Sequence, residues 1–575
     1  KGPLLVFGIC LAVWYAICLP TPLFKDATST VLEDRNGKLL AARIASDSQW
    51  RFPENDSLPD KFVQCITHFE DEYFFQHPGF NPVSFGRALK QNVKAGRVVS
   101  GGSTLSMQTI RLARKGQSRT VFEKLIEVIL ATRMELSYSK SDILKMYAAH
   151  APFGGNVVGL DAAAWRYYGR NPQQLSWGEM ATLSVLPNAP SLVYPGKNSD
   201  KLLRKRNRLL DKLNRKGIID SWTCELAKEE PLPGKPLPIP QKAPHLLNRA
   251  IAEGHAGKRV QSTINSNLQE NMNRLVDGYH GILSQNEIHN MAVLVLDVKT
   301  GGVLAYVGNT NCPDESSGSS VDVIMAPRST GSVLKPFLYN FMLQDGALLP
   351  DQLVADIPTR IAGYAPKNFD QSYDGAVPAS EALARSLNVP AVRMLREYGL
   401  ESFYQGIQSF EFSTINRSAN HYGLSIILGG AEAKLWELST AYMNLARVLN
   451  RDSCLQSGSY ALEQEVTANK DLHEILDPAA VWWTTQALST VNRPWQESGW
   501  QEFNSSQKIA WKTGTSFGHR DAWSIGFTPD YVVGVWVGNA DGEGRPGLTG
   551  LGVAAPVLFK AFKQLPQRSP WFQEP

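Results

Sequence analysis

Apolar residues fill the start of the chain, and no charged side chain occurs between positions 3 and 20. This length is close to what a helix needs to cross the hydrocarbon core of a bilayer. Trp14 and Tyr15 stand where a cleavage site would need small residues. The pattern therefore favours a transmembrane anchor over 3–20, with a cleavable signal peptide as the alternative.

The next stretch changes from a hairpin pattern to a helical one. Over 21–57, two short apolar runs flank Asn36-Gly37, a dipeptide typical of hairpin turns, and predict a connecting β hairpin. Over 58–226 the apolar spacing is mostly helical, as in VFEKLIEVILATRMEL, and predicts a mainly α domain. The prolines of 227–258 suit neither a helix nor a central strand, so we expect a linker there.

Strand-like runs occur at both ends of the remaining chain. MAVLVLDVKTGGVLAYVGN begins at residue 291, and KIAWKTGTSF, DAWSIGFTP and YVVGVWVGN lie near the end. Helical stretches such as ALARSLNVPAVRMLREYG lie between them. Together they predict an α/β domain over 259–563, in which helices pack on an antiparallel sheet, followed by a tail over 564–575.

Composition sets the scale of this organisation. With 575 residues, 43% hydrophobic and 19% charged, the chain is too long for one core and too apolar for extended disorder. The net charge of +4 gives no reason to expect a nucleic acid partner. The six cysteines form no CxxC pair or zinc-like spacing with histidine, so no metal site is expected. One long-range disulfide stays an alternative.

Three short motifs follow one another in the second half of the chain. They are Ser332-x-x-Lys335, Ser386-x-Asn388 and Lys512-Thr513-Gly514-Thr515. Residues three apart on a helix share a face, so we expect the Lys335 amine to reach the Ser332 hydroxyl as its base. A lysine is a base near neutral pH only if burial or a neighbouring cation lowers its pKa, and Lys512 would be that cation.

The other motif residues suit further steps of an acyl transfer. Ser386 would relay a proton, and the backbone N–H groups of Ser332 and Thr515 would form an oxyanion hole. Gly514 would let substrate lie against the strand edge, and Thr513 and Thr515 would hold a substrate carboxylate. The alternative is that Ser332 only caps a helix, that Lys335 is solvated, and that KTGT is an ordinary edge strand.

In this order the motifs resemble the transpeptidase domain of class A penicillin-binding proteins. The resemblance implies a Ser332 acyl-enzyme that cross-links pentapeptide stems and binds β-lactams, with Asn388 and Lys512 as further catalytic residues. A serine β-lactamase shares the three motifs, but no clear Glu-x-x-x-Asn segment separates the second from the third. Ser329-Thr330 replaces a segment in which the family usually has a proline, which we expect to alter drug affinity.

A second set of polar motifs occupies the predicted helical domain. Joining a sugar to a hydroxyl needs a carboxylate base, and cations must neutralise the departing diphosphate. Glu70 offers the base, and Glu127 offers a second carboxylate one helical turn from Lys124. The groups suited to sugar and phosphate oxygens belong to Ser103, Thr104, Gln108, Arg111, Arg119 and Lys124. The alternatives are a helix start at Glu70 and a surface ion pair at Lys124 and Glu127.

These segments, over about 58–213, resemble the successive motifs of the peptidoglycan glycosyltransferase family. The resemblance implies a lysozyme-like helical fold that polymerises the undecaprenyl-diphosphate disaccharide-pentapeptide called lipid II. Glu70 would deprotonate the acceptor hydroxyl, and Glu127 would position the leaving diphosphate.

The same resemblance assigns Arg111, Arg119 and Lys124 to the diphosphate. It implies no tightly bound cofactor, although a divalent cation, Mg²⁺ or Mn²⁺, is an option at this site. Ala148-Ala149-His150 replaces the Leu-Asn that usually follows Tyr147 in the family, which bears on local packing or acceptor contacts.

Together the two resemblances imply a bifunctional, single-pass protein of the bacterial inner membrane with its catalytic domains in the periplasm. Its expected partners are lipid II, nascent glycan strands, stem peptides, β-lactams, membrane lipids and other cell-wall synthesis proteins. Two alternatives stay open. One is an active glycosyltransferase with a weak or sensor-like serine domain, and the other is a D,D-carboxypeptidase or β-lactamase-like serine hydrolase with a structural helical domain.

Overall fold

The structure is a computed structural model that describes residues 2–83, 86, 102–115, 120–188, 197–311, 317–361, 363–462, 470–494 and 507–575. Its internal contacts define two units. The first comprises Lys1–Leu32, Ala41–Gln241 and Ala250–Val260, and the second comprises Glu33–Leu40, Lys242–Arg249 and Gln261–Pro575. The predicted substrate contact Arg119 lies outside the described residues.

The first unit is mainly helical, as the apolar spacing predicts. Its helices are α1 (Gly2–Ile17), α2 (Asp60–Glu70), α3 (Leu105–Ala113), α4 (Val121–Ser137), α5 (Lys140–His150), α6 (Leu160–Tyr168), α7 (Trp177–Val185), α8 (Ser199–Arg215) and α9 (Ser221–Glu229). Helix α2 packs on α7 and α8, while α3 packs on α4 and α5. Three short strands, β3 (Trp50–Arg51), β4 (Pro152–Gly154) and β5 (Val157–Val158), form a small sheet in the order β3-β5-β4.

Hydroxyl caps fix where several of these helices begin. The caps of α3, α4, α5 and α7 are Thr104, Thr120, Ser139 and Ser176. In each case the side chain accepts an N–H from the first turn, which satisfies a donor that the helix itself leaves unpaired. The cap at Thr104 starts α3 so that Gln108 and Arg111, three residues apart, lie on one face.

Helix α1 covers most of the apolar run at the start of the chain. It has 16 residues and ends at Ile17. Across the described residues, no helix combines the length and the apolar character that a bilayer crossing requires. The anchor predicted over 3–20 is therefore not shown.

The predicted hairpin is part of a larger sheet. Strands β1 (Thr30–Glu33) and β2 (Leu39–Arg43) are neighbours, and Asp34 Oδ1 accepts the N–H groups of Asn36 and Lys38 in the turn at 2.8 Å each. Strand β6 (Arg259–Gln261) lies on the other side of β1, which gives the order β2-β1-β6. The hairpin is thus stabilised by a strand more than 200 residues away in sequence.

Helix replaces part of the predicted linker at 227–258. The segment includes the end of α9, an extended proline-rich stretch, α10 (Pro244–Ala250) and a π-helical turn at Ile251–His255. Pro244 stands at the start of α10, where a missing backbone N–H costs no helical hydrogen bond. The proline content therefore identified an extended stretch and missed the helix that follows it.

Five antiparallel strands form the main sheet of the second unit, which confirms the predicted antiparallel sheet. They are β7 (Asn290–Asp297), β8 (Val303–Val307), β13 (Ala510–Thr515), β14 (Asp521–Phe527) and β15 (Tyr531–Gly538), in the order β13-β14-β15-β7-β8. Two smaller sheets pair β10 (Leu353–Asp356) with β11 (Gly375–Pro378), and β9 (Arg328–Ser329) with β12 (Glu432–Ala433).

Helices cover both faces of the main sheet. The helices of this unit are α11 (Ser266–Leu283), α12 (Lys335–Gln344), α13 (Ala379–Ala384), α14 (Asn388–Tyr398), α15 (Leu400–Gln408), α16 (Ala419–Tyr422), α17 (Leu435–Leu449), α18 (Pro478–Ser489) and α19 (Ala555–Phe562). Val293 and Val535 face α11 and α19 in one apolar core. Gly534, on the opposite face, lies against Ser439 and Leu435 of α17.

Candidate active sites

Glu70 is the last residue of α2, and its carboxylate is held by two amides. Gln108 Nε2 donates to Glu70 Oε2 at 2.9 Å, and Asn188 Nδ2 donates to Glu70 Oε1 at 3.2 Å. Burial raises the pKa of Glu70, although both hydrogen bonds oppose the shift. A carboxylate with a raised pKa is a stronger base once ionised, so this environment suits proton abstraction.

A lysine orients the second of these amides. Lys205 Nζ donates to Asn188 Oδ1 at 2.8 Å, so the amide nitrogen of Asn188 is turned towards Glu70. Burial lowers the pKa of Lys205, and the charge of Glu70 opposes this shift. No sequence motif pointed to Asn188 or Lys205 as site residues. The basic spacing of α8 was the one available signal, and it is equally typical of a solvated amphipathic helix.

Arg111 and Glu127 form a two-pronged ion pair between α3 and α4. Arg111 Nε donates to Glu127 Oε1 at 2.6 Å, and Arg111 Nη2 donates to Glu127 Oε2 at 2.7 Å. Arg111 Nη2 also donates to Ser103 Oγ at 3.1 Å. The hydrogen bonds and charge of Glu127 raise the pKa of Arg111, despite partial burial. Glu127 is buried, and its carboxylate is paired with this guanidinium.

Two other predicted substrate contacts lie close to this pair. Lys124 is half-buried on α4, one turn before Glu127. Thr104 is buried, and its hydroxyl donates to the Gly79 carbonyl at 2.6 Å while it accepts the Met107 N–H at 3.2 Å. Because these contacts use the Thr104 hydroxyl to fix α3, its predicted contact with substrate stays a prediction.

Asp71 and His77 build the loop that follows Glu70. His77 Nδ1 accepts the Gly79 N–H at 3.2 Å, so its Nε2 is the donor to Asp71 Oδ2 at 2.9 Å. The same Asp71 oxygen accepts the N–H of Leu105, the first residue of α3, at 3.0 Å. These neighbours of Glu70 therefore have structural positions, which the sequence did not assign.

The replacement at Ala148-Ala149-His150 affects local packing. The His150 ring stacks on Phe24 with centroids 3.6 Å apart and an interplanar angle of 6°. Its ring nitrogens lie 3.7 Å from carboxylate oxygens of Asp26 and Glu54. Burial lowers the pKa of His150, and the contact with Glu54 opposes that shift. This histidine thus joins α5 to the segment that follows α1.

In the second unit, Lys335 is buried at the first position of α12. Its Nζ donates to Asn388 Oδ1 and to the Ser386 carbonyl, both at 2.8 Å, and to the Leu387 carbonyl at 3.1 Å. Burial, with the nearby charge of Lys512, holds the pKa of Lys335 well below its usual range. The described hydrogen bonds of this amine therefore go to the second motif.

The predicted helical relation between Ser332 and Lys335 needs correction. Ser332 lies in a turn before α12, and the Lys335 N–H donates to the Ser332 carbonyl at 3.3 Å. Gly331, with a φ of 53°, forms the turn that delays the helix. Ser332 and Lys335 are therefore joined by a turn, and they do not share one face of a helix.

Ser386 lies between the two lysines. Lys512 Nζ donates to Ser386 Oγ at 2.7 Å, and Lys335 Nζ lies 3.5 Å from the same oxygen. Ser386 has a φ of 61°, which is uncommon for a residue with a side chain and is frequent at active sites. Burial lowers the pKa of Lys512 to about 7. The three side chains form a short hydrogen-bonded path suited to proton transfer.

A close backbone approach places the nucleophile segment beside β13. A Cβ on Gly331 would lie 2.7 Å from the Thr515 nitrogen, so only glycine fits there. This approach places the backbone before Ser332 next to Thr515, as the predicted oxyanion hole requires. The Tyr442 hydroxyl stabilises the segment around Ser332, because it donates to the Val333 carbonyl at 2.7 Å.

Gly514 packs closely against the segment around Ser332. A Cβ there would lie 2.8 Å from the Thr330 carbonyl oxygen and 2.9 Å from Val333. Gly514 therefore makes room for the segment around Ser332, and its predicted role beside substrate at the strand edge stays a prediction. Thr513 and Thr515, on the opposite face of β13, are half-buried, and Thr515 Oγ1 accepts the Gly550 N–H at 3.0 Å.

Hydrogen bonds hold the Ser329-Thr330 segment, where the family usually has a proline. The Thr330 N–H donates to the Ala431 carbonyl at 3.1 Å, and the Ser329 hydroxyl donates to the Gly429 carbonyl at 2.8 Å. A proline at Thr330 has no N–H and could not make the first bond. This chain therefore holds the segment before the nucleophile with backbone pairing.

The described residues include no group of three or more His, Cys, Asp or Glu side chains that could hold a metal ion. Near the first site, Glu127 is occupied by Arg111, and Glu70 is occupied by two amides. These residues do not fit a protein-held divalent cation. All five cysteines in the described part of the chain, Cys10, Cys18, Cys65, Cys224 and Cys454, are free thiols.

Comparisons with known proteins agree with this division of sites. A family model described as transglycosylase matches residues 36–214, and one described as penicillin binding protein transpeptidase domain matches 291–563. The chain is 34% identical to penicillin-binding protein 1C of Escherichia coli, over 99% of this chain and 72% of that protein. The chain belongs to the class A penicillin-binding proteins.

Two further penicillin-binding proteins show lower sequence identity to this chain. Penicillin-binding protein 1B of Haemophilus influenzae is 27% identical over 91% of this chain and 70% of that protein. The crystal structure of penicillin-binding protein 1A from Haemophilus influenzae covers 95% of this chain and 93% of its own, with a TM-score of 0.53 and 18% identity. That likeness supports the fold alone.

Membership of the class A penicillin-binding proteins settles the class of reaction. The chain is a peptidoglycan synthase with a transglycosylase domain and a transpeptidase domain, as the motifs predict. The transglycosylase match also opposes the alternative in which the helical domain is only structural. Its substrates are lipid II, glycan strands and stem peptides, and β-lactams are its ligands.

Proposed function

We propose that Glu70 is the base of glycan polymerisation and that Ser332 is the nucleophile of peptide cross-linking. The observation that carries the second assignment is the meeting of Lys335, Ser386 and Lys512 around one hydroxyl. For the assignment of Glu70, it is the half-buried Glu70 carboxylate, which two amides hold on two sides.

In polymerisation, Glu70 takes the proton of the acceptor hydroxyl as its oxygen attacks the anomeric carbon of the donor. The bond between that carbon and the diphosphate oxygen breaks with inversion, and the diphosphate leaves with the electron pair. Arg111 and Lys124 neutralise the charge of the leaving group, with Arg119 as a further candidate. Glu127 holds the Arg111 guanidinium in position through two hydrogen bonds.

In cross-linking, the Lys335 amine takes the Ser332 proton, since burial favours its neutral form. Ser332 Oγ then attacks the carbonyl carbon of the penultimate D-alanine, and the N–H groups of Ser332 and Thr515 stabilise the oxyanion. The proton passes to the leaving D-alanine amine through Ser386 or Lys512. An amine of a second stem then attacks the acyl carbon and gives its proton to Lys335. The bond from that carbon to Ser332 Oγ breaks, and Lys335 returns the proton to Ser332. Asn388, Thr513 and Thr515 orient the peptide.

The site of action follows from the lipid substrate. Because lipid II is anchored in the bilayer by its polyprenyl chain, we place the protein at the bacterial inner membrane with its catalytic domains in the periplasm. The apolar composition of residues 3–20 supports this location. Other cell-wall synthesis proteins are expected neighbours there. A divalent cation, if polymerisation needs one, would be bound by the substrate diphosphate, and chelation of metal tests this.

The test of function is polymerisation of labelled lipid II in detergent by the intact chain, Glu70→Gln and Ser332→Ala. We expect long glycan from the intact chain and from Ser332→Ala, and none from Glu70→Gln. Cross-linked product should form only with the intact chain and vanish with penicillin. Polymerisation that survives Glu70→Gln would overturn the first assignment. Acylation of Ser332 by penicillin without any cross-linking would favour a sensor-like serine domain.

A further inference from the structure

A cavity of about 440 Å³ lies in the first unit, between the segment that follows α1 and the start of α5. Its volume is within the range of small-molecule binding sites, roughly 300 to 1,000 Å³. None of the residues proposed for polymerisation or cross-linking lines it. The two proposed reactions therefore leave this cavity without a role.

Apolar side chains supply one part of the lining. Leu23 and Met146 are buried, and the Phe24 ring is held in place by its stacking on His150. Pro22 belongs to the same part of the lining. Because these groups are already ordered, an apolar chain that covers them loses contact with water at little cost in protein entropy.

Charged groups supply the other part, and two of them belong to the first turns of α5. The Ser139 hydroxyl donates to Asp142 Oδ2 at 2.6 Å, which lowers the pKa of Asp142 and keeps it ionised at neutral pH. Lys145 Nζ lies 3.8 Å from Asp142 Oδ1, which is beyond hydrogen-bond distance. A ligand in the cavity can therefore bind both groups.

The third charged group is the half-exposed carboxylate of Glu54. His150 Nε2 lies 3.7 Å from Glu54 Oε1. Burial lowers the pKa of His150, so the ring is neutral at pH 7 and does not neutralise Glu54. The lining thus holds two carboxylates and one ammonium, with negative charge in excess.

This lining selects the chemistry of a ligand. A primary ammonium donates hydrogen bonds to carboxylates, and a phosphate accepts them from a lysine. A ligand that has both groups next to an apolar chain matches every part of the cavity. An anionic headgroup without an ammonium would instead face the excess negative charge. The complementary ligand is a zwitterionic amphiphile.

The cavity also adjoins the end of α1. Pro22 lies five residues after the last residue of α1, and Arg133 Nη2 donates to the Ala16 carbonyl of that helix at 2.9 Å. Tyr138, which lines the cavity, lies five residues after Arg133. If α1 lies in the bilayer, as the proposed location requires, the residues around its end lie among the lipid headgroups.

We propose that this cavity binds one phospholipid whose headgroup carries a primary ammonium. The ammonium lies at Glu54 and Asp142, the phosphate lies at Lys145, and the first part of the acyl chains covers Phe24 and Met146. The bound lipid joins α5 to the segment that follows α1. This inference rests on the proposed membrane location, and not on the assignments of Glu70 and Ser332.

The test measures phospholipid binding to the intact chain in detergent by native mass spectrometry. Phosphatidylethanolamine, phosphatidylcholine and phosphatidylglycerol are added in separate titrations. We expect one bound phosphatidylethanolamine and at least about threefold weaker binding of the other two, because the choline group has no N–H donor and the glycerol group has no cation. Equal binding of the three lipids would overturn the inference.

Two variants test the charged groups separately. Glu54→Gln should weaken binding of phosphatidylethanolamine about two- to fivefold and reduce the discrimination against phosphatidylglycerol. Lys145→Met should weaken binding of all three lipids by a similar factor, because each has a phosphate. Glu225→Gln, an exposed glutamate on α9, is the control and should change nothing. Unchanged binding of phosphatidylethanolamine by both cavity variants would overturn the inference.

A soluble stem peptide with a free amino group is the competing ligand. Its displacement of bound phosphatidylethanolamine would make the cavity a peptide site and overturn the lipid assignment. Polymerisation of lipid II in detergent by Glu54→Gln should equal that of the intact chain, which reports correct folding. Absence of polymerisation by the intact chain would refute the proposed function, while lipid binding would still decide this inference.

Discussion

Lys512 donates a hydrogen bond of 2.7 Å to the hydroxyl of Ser386, a residue held at a φ of 61°. The strained backbone and the buried ammonium are adjacent, and Lys335 lies 3.5 Å from the same oxygen. Two amines that share one hydroxyl influence each other's protonation. The charge of Lys512 thus helps to lower the pKa of Lys335, the proposed base.

We predict that Lys512→Met moves the acid limb of penicillin acylation to higher pH. The positive charge of Lys512 lowers the pKa of Lys335, so its removal lets that pKa rise and leaves less neutral amine at a given pH. The acylation rate should be measured between about pH 5 and 9, a window that brackets neutral operating pH. Lys508→Met, a lysine with a pKa also lowered by burial, is the control. An unmoved or lowered limb would contradict the prediction.

The same burial has a consequence for stability. Lys512 has its pKa lowered from 10.5 to about 7 in the folded protein, so below pH 7 the buried amine must carry a charge. The unfolded chain binds more protons between these two values, and the stability contributed by this group therefore rises as the pH rises through that window. Thermal unfolding of the intact chain and of Lys512→Met should differ in pH dependence, with a smaller rise in the variant. Identical profiles would contradict the prediction.

For the first site, Arg111→Lys should lower glycan polymerisation about tenfold or more, because lysine keeps the charge and loses the two-pronged geometry. Arg114 offers a matched control. Its Nε and Nη2 donate to Glu123 at 2.6 and 3.1 Å, on the same pair of helices, but Glu123 is not buried as Glu127 is. Arg114→Lys should leave polymerisation nearly unchanged. Equal losses in the two variants would mean that the geometry of the Arg111 pair has no special role.

Asn188→Ala should move the acid limb of polymerisation to higher pH. The hydrogen bond from Asn188 lowers the pKa of Glu70, so its loss raises that pKa and reduces the ionised base at low pH. Penicillin acylation in the same preparation should stay constant and serves as the internal control. Asn214→Ala, on α8 and away from Glu70, should leave the limb in place. A change in rate without a shift of the limb would show that Asn188 acts on substrate.

Gly331→Ala should slow penicillin acylation by about two orders of magnitude, because the new Cβ would lie 2.7 Å from the Thr515 nitrogen, a donor of the proposed oxyanion hole. Gly346→Ala is its control, since Gly346 has a φ of 69° with no atom within 4 Å of an added Cβ. Backbone strain is common to both variants, whereas the collision is specific to Gly331. Similar acylation in the two variants would contradict a packed oxyanion hole.

The sequence predicted those parts of the candidate sites whose residues belong to short motifs. Ser386 and Lys512 could be found because their order along the chain is informative. Asn188 could not, since it is 118 residues from Glu70 and belongs to no motif. The close packing of Gly514 on Thr330 could not be predicted either, because it depends on how distant segments pack together. The surrounding prolines prevented the prediction of α10 and of the π-helical turn. Local patterns could not predict that β6 pairs with the hairpin strands, because β6 is distant in sequence.

Asp71 connects the two halves of the glycan site mechanically. One of its oxygens binds both His77, in the loop after Glu70, and the first N–H of α3, the helix that carries Gln108 and Arg111. A shift of α3 would therefore strain its contact with the loop that follows Glu70. The proposed base Glu70 and the proposed leaving-group contact Arg111 thus lie on two elements that share one carboxylate as a common support.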